Sequence, residues 1–195
     1  MPQPLVYRPR QTTLPAGVTL VELLICLAIV SILSFIVVPS FNDIYQNARS
    51  TSHINQLSQL IRFTRSEALA RQARVTLCPS SEGLSCEQEW HAGTMIFIDE
   101  NNDQERNEGE TLLRLKTPFI SSGSIHFNNP ANRVVFSRQG FPLGSAGSYI
   151  YCPESNNDEY ARALIINFQG RLRLGVDSNE DGIVEARGGR NVSCS

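Results

Sequence analysis

The sequence lacks an excess of charge of either sign: 17 Lys and Arg residues face 19 Asp and Glu residues over 195 positions, a formal net charge of −2. That excludes nucleic-acid binding by bulk charge and leaves such binding only to a local cluster. Lysine is almost missing, Lys116 being the single one. Arginine forms the planar, bidentate contacts with phosphates and carboxylates, but a bias of this kind carries little functional weight by itself. Catalytic signatures are missing too, with no HExxH, no Gly-x-Ser-x-Gly elbow, no Walker loop and no dinucleotide loop. His53, His91 and His126 stand isolated, so the expectation is a non-enzymatic protein without a cofactor. No CxxC pair and no CxxC…HxxxH spacing is present, which argues against zinc.

What is present begins at the N-terminus. Residues 1–17 are polar, with Arg8 and Arg10 as their only charges, and end in Leu14-Pro15-Ala16-Gly17. From Val18 to Val38 runs VTLVELLICLAIVSILSFIVV, in which Glu22 is the sole charge. As a helix this run would span roughly 30 Å, the thickness of a bilayer core. A secretory signal has its small-residue junction after the apolar run, whereas here Ala16-Gly17 precedes it, so cleavage there leaves the helix on the mature chain. An ionised Glu in hydrocarbon is costly and calls for a partner. Two readings stand for Glu22: it snorkels to the interface, or it pairs with the new amine at Val18 of an adjacent subunit.

Gly17-Val18-Thr19-Leu20-Val21-Glu22-Leu23-Leu24 resembles the class III leader junction of type IV pilins and pseudopilins, with Val18 where Phe is usual. The resemblance implies that a prepilin peptidase cuts after Gly17 and methylates Val18, and that Glu22 is needed for assembly. Pro39 falls where many pilins carry a helix-kinking proline. The chain is therefore expected to consist of a leader over 1–17, a transmembrane and filament-core helix over 18–38, an amphipathic helix over 39–75 and a β-rich head over 76–195. The expected location is the inner membrane, crossed once, with a periplasmic head, in a surface pilus or a periplasmic pseudopilus.

Beyond Pro39 the pattern is helical, with Ile54, Leu57, Ile61, Thr64 and Ala68 recurring at gaps of three and four. The other faces carry Arg49, Arg62, Arg65, Arg71 and Arg74 against Asp43 and Glu67, arginines that ordinarily just solvate a helix. From Val75 the pattern changes to short β-prone runs: VTLC, TMIFID, TLLRLK, SIHF, RVVFS, SYIYC, ALIINF and RLRLGV, separated by Gly-, Pro- and Asn-rich turns. A long helix followed by antiparallel strands predicts an α+β fold with the helix packed on an antiparallel sheet. The segments Ile61 to Ala68, Val75 to Pro79, Trp90 to Gly93, Ile96 to Asp99 and Gly109 to Arg114 together resemble the FimT/GspH group of minor pilins and pseudopilins. That likeness runs from Gly17 to about Arg173. It implies major and minor pilins or pseudopilins as partners.

Cys26 lies inside the apolar run, where it serves as a small apolar residue. Cys78, Cys86, Cys152 and Cys194 remain for an oxidising compartment, and four cysteines allow three connectivities. The preferred one joins Cys78 to Cys86 across a short loop and Cys152 to Cys194, pinning the C-terminal segment. Two acidic loops invite comparison with calcium sites. Asp99, Asn101, Asp103, Glu105, Asn107 and Glu110 fit the oxygen-ligand positions of a calcium loop, but Gln104 stands where its turning Gly belongs. Asp177, Asn179 and Asp181 with Gly182 begin a second, which has Gly188 in place of the bidentate Glu. Asp/Asn-rich surface turns are the simpler reading of both.

Near the C-terminus, Arg171 and Arg173 in an extended chain project to one side about 7 Å apart, a spacing close to that of successive phosphates. Gly170 leaves the backbone accessible, and Arg187 and Arg190 follow. Asp177, Glu180, Asp181 and Glu185 make the segment nearly neutral, so solvated strand arginines are the alternative. Gly170-Arg171-x-Arg173 is similar to a Gly-Arg-x-Arg motif of FimT-type minor pilins that bind DNA in natural transformation. That resemblance implies double-stranded DNA as a partner; a GspH-like role in type II secretion is the alternative.

Overall fold

A computed structural model describes residues 17–194, with the side chains of 35–40 left aside. The expected leader, Gly17 excepted, lies outside the described residues. The chain divides into two compact units, residues 1–42 and 43–195. One helix, α1 (Leu20–Arg71), begins in the first and ends in the second. Its start is capped: the Thr19 hydroxyl accepts the Glu22 amide at 3.2 Å, and the Glu22 carboxylate sits in the first turn, at the positive end of the helix dipole. At the other end Arg71 pairs with Glu67 at 2.6 Å, and Gln72 takes φ +51°, the left-handed stop of a helix.

Within the first unit the apolar side chains from Val18 to Leu33 are more than half exposed. Among the described residues no helix is long and apolar enough to cross a membrane; side chains at the end of the 18–38 run lie outside that description.

In the second unit α1 buries Ile54, Leu57, Ile61, Thr64 and Ala68, the stripe expected from gaps of three and four, and His53 and Leu60 beside it. Among the described residues eight strands follow: β1 (Val75–Pro79), β2 (Thr94–Ile98), β3 (Leu112–Lys116), β4 (Ser124–Phe127), β5 (Val134–Phe136), β6 (Gly147–Cys152), β7 (Arg162–Ile166) and β8 (Leu172–Leu174). All pairings are antiparallel, but the strands form two sheets rather than one, ordered β3-β2-β1-β5 and β4-β6-β7-β8. The division follows from β5, which spends its three residues on β1 and leaves β4 to pair with β6. The main core joins Leu57 and Ile61 of the helix to Leu77 and Ile96 of the first sheet and to Tyr149, Leu164 and Ile166 of the second. Trp90 meets Tyr149 edge-on at 5.0 Å, and Tyr149 stacks on Phe127 at 4.0 Å.

The outer face of the second sheet has its own small core. Ala161 and Ala163 present little bulk, so the C-terminal segment lies close and buries Ala186 and Val192 against them. Disulfides join Cys152 to Cys194, tying that segment to β6, and Cys78 to Cys86.

Two buried polar groups give testable consequences. The Tyr149 hydroxyl is buried without a hydrogen-bond partner, and burial pushes its ionisation far up. Tyr149→Phe removes a desolvated hydroxyl and leaves the ring stack, so it is expected to hold or raise Tm; a large fall would reveal a partner for that oxygen. Both ring nitrogens of His53 are buried without partners, and burial, with Arg49 and Lys116 nearby, holds its pKa below the ordinary 6.5. The folded state keeps His53 neutral, while the unfolded chain takes a proton at the ordinary value. Stability is therefore full above 6.5 and falls as the pH drops from there toward the folded pKa. Urea titrations on either side of that value should show this slope, and His53→Gln should flatten it.

Candidate nucleic-acid interface

The hairpin between β7 and β8 turns on Asn167. Its side-chain oxygen accepts the amides of Gln169 at 3.0 Å and Arg171 at 2.8 Å, and its main chain exchanges bonds with Gly170 and Arg171. Gly170 has φ +75°, and a Cβ there would lie 3.1 Å from Phe136 and 3.3 Å from Pro142. The backbone conformation therefore favours glycine, and a side chain there would also be tightly crowded. Arg65 of α1 holds the same turn from below, its Nη1 donating to the Gly170 carbonyl at 3.2 Å.

Register then decides where the arginines go. Leu172 and Leu174 pair with Ile166 and Leu164, which face the main core, while Arg173 pairs with Ile165 on the outer face. Arg171 and Arg173 are thus exposed on one side of β8, at the spacing of about 7 Å expected of alternate strand residues. A shallow hollow of about 360 Å³ lies between them, floored by Ile165.

Arg187 arrives from a different part of the chain. Its backbone amide donates to the Ser148 hydroxyl at 3.0 Å, and its guanidinium lies 4.6 Å from the ring centre of Phe168 at the hairpin tip. Phe168 is 64% exposed, an apolar cost offset by holding a guanidinium over its face. Nothing in the sequence pattern marks this stack. Arg190 shares the turn 186–190 with Arg187, its carbonyl accepting the Ala186 amide at 2.8 Å, and is exposed. Among the described residues none of these four arginines is in an ion pair.

Three of the four nearby acids, Asp177, Asp181 and Glu185, are otherwise engaged, while Glu180 is exposed. Asp177 accepts the amides of Asp181 and Gly182, and Asp181 accepts the Ile183 amide and the side-chain amides of Asn179 and Asn191, which hold its pKa below the usual carboxylate range. Buried Glu185 accepts the Ser178 amide on both oxygens. The other acidic loop is closed in the same manner. Asp103 takes donors from Asn101, Glu105 and Asn107, and Glu110 takes the amides of Glu100 and Asn107. Asp99 is buried beside Thr76, with its carboxyl pushed up by burial, and Gln104 adopts φ +67° without being glycine. Among the described residues no group of three or more His, Cys, Asp or Glu side chains is gathered to hold a metal ion.

A helix laid on antiparallel sheets, with a capped Thr19-Glu22 start, is the architecture of a pilin. Residues 53–170, more than half of the chain, match the family model described as Type II transport protein GspH, and residues 15–38 match the prokaryotic N-terminal methylation motif. The chain belongs to the GspH family, a minor type IV pilin or pseudopilin. Among solved structures it is similar to the type IV minor pilin FimU of Pseudomonas aeruginosa in two crystal forms. In space group P21 the TM-score is 0.55 at 17% identity, covering 75% of this chain and 95% of FimU. In P65 it is 0.53 at 17% identity, covering 74% and 99%. No curated protein matches the sequence.

Proposed function

We propose that this protein is a minor pilin that enters a type IV pilus, supports its assembly and presents Arg171, Arg173, Arg187 and Arg190 to DNA during natural transformation. In this reading residues 1–17 are the leader removed by prepilin peptidase, 18–38 span the inner membrane and then the filament core, 39–75 carry the helix into the head, and 76–195 form the exposed head. The observation that carries the DNA assignment is the convergence of the outward Arg171 and Arg173 with Arg187, fixed on Phe168, free of acidic partners. Guanidinium groups so placed suit backbone phosphates, whose contacts position without reading sequence. The protein works by adsorption, with no catalytic step.

Such binding weakens steeply with salt because each phosphate contact releases counterions. The full chain in non-ionic detergent should bind duplex DNA at low salt, and Arg171→Ala with Arg173→Ala should lower the log–log salt slope by about 2. Affinity indifferent to salt would exclude the mechanism.

The match of residues 53–170 to the GspH model favours one second reading, a minor pseudopilin of a type II secretion system. Processing is common to both readings. Gly17→Glu should leave the leader attached, seen as a slower-migrating band. Glu22→Ala should leave the protein in the membrane and lower its incorporation into filaments; normal incorporation would mean that Glu22 only snorkels. Export failure with intact DNA uptake in a deletion strain would select the secretion reading.

A further inference from the structure

A second concavity, of about 450 Å³, lies between α1 and the β7–β8 turn and is lined by Arg62, Arg65, Ser66, Leu69, Gly170 and Arg171 among others. Its lining includes three arginines and no acidic residue. Arg65 uses Nη1 on the Gly170 carbonyl, but its Nε is cut off from solvent with no acceptor. A buried donor left unmade costs the full desolvation of that group. Arg62 is tethered only through Nε, to Ser58 at 3.3 Å, which leaves its terminal nitrogens for a ligand. Arg171 lines this groove and also the outer hollow beside Arg173, so the two concavities share one residue.

We propose that a backbone phosphate of DNA is seated in this groove by Arg62, Arg65 and Arg171, so that the strand runs from the outer face of β8, over the turn, onto α1. The assignment rests on the DNA reading above and extends the contact surface to helix residues outside the Gly-Arg-x-Arg segment. Arginines bordering one concavity without an acidic neighbour favour an anion between them. A phosphodiester supplies one such anion at each step along a strand, and the shared Arg171 makes the two concavities consecutive stops for it. Arg65 has a second role, since its bond to Gly170 positions the turn that displays Arg171.

The test is duplex DNA binding by the full chain in non-ionic detergent across a salt series. Arg62→Gln, which touches nothing in the turn, is expected to weaken binding about fivefold and lower the log–log salt slope by about 0.9. Arg62→Glu should weaken it further, and Arg65→Lys, which keeps the charge but loses the fork, should weaken binding with the slope preserved. If both Arg62 variants keep the parent slope while Arg171→Ala with Arg173→Ala abolishes binding, the groove assignment is overturned and the DNA reading stands. If the parent chain binds no duplex even at low salt, both fall, and a carboxylate of a neighbouring subunit becomes the anion to seek.

Discussion

Replacing Cys152 and Cys194 by serine is expected to lower the unfolding free energy by about 4 kcal/mol, the loop-closure entropy returned to the unfolded chain by a bridge of this span. The two cysteines are 42 residues apart. The loss has a local signature as well, because the bridge holds the segment whose Ala186 and Val192 cover Ala161 and Ala163. Once loosened, that segment no longer places Arg187 over Phe168. Denaturant titration should therefore show a lower midpoint, and DNA titration a salt slope smaller by about 1. The Cys78–Cys86 bridge spans only 8 residues, and its removal should cost roughly two-thirds as much and leave the slope unchanged. Equal effects of the two bridges on DNA binding would contradict the role given to the C-terminal segment.

Trp90→Ala is expected to cost about 3–5 kcal/mol, the range for removing a large aromatic from a packed core. The side chain is 1% exposed, meets Tyr149 edge-on, and donates from Nε1 to the Asn132 side chain at 2.7 Å. Asn132, itself at φ +48°, passes the connection on to the Gln88 carbonyl at 3.0 Å. Truncation opens a cavity beneath the second sheet and strands an amide acceptor. Trp90→Phe should recover part of the loss, because the ring returns without the hydrogen bond. A Trp90→Ala protein as stable as its parent would mean that Tyr149 and Phe127 collapse into the space. The hairpin bearing Arg171 lies on the same sheet, so DNA binding should persist wherever Trp90→Ala remains folded.

Local chemistry wrote much of this architecture plainly. Each of the eight β-prone runs became a strand because short apolar or alternating stretches stood between turn residues. The helical stripe from Ile54 to Ala68 was readable from its spacing. Alternation along Leu172-Arg173-Leu174 also told which way Arg173 points, since one face had to meet the core. What escaped was non-local. Two sheets instead of one depend on β5 choosing β1 and β4 choosing β6, a competition between distant partners that no window of sequence contains. The stack of Arg187 on Phe168 depends on alanines at 161, 163 and 186 letting two segments approach. The arginines of α1 were visible as a basic face, but only the turn at Gly170 sorts Arg62 and Arg65, which line a groove, from Arg71, which pairs with Glu67.

The outermost strands of the two sheets are β3, β5, β4 and β8, and two of them are only three residues long. β3, the longest, carries Arg114 with its guanidinium 4.2 Å from the Phe63 ring centre and Lys116 bonded to Gln56, while β8 carries Arg173 outward. Short rims and fixed positive charges make poor templates for an incoming backbone. A subunit held at the density of a filament meets copies of its kin continually, and open rims would let neighbouring heads fuse by strand addition. In the filament role proposed above, heads of this kind crowd without merging, which leaves polymerisation to the helices and keeps the sheets individual.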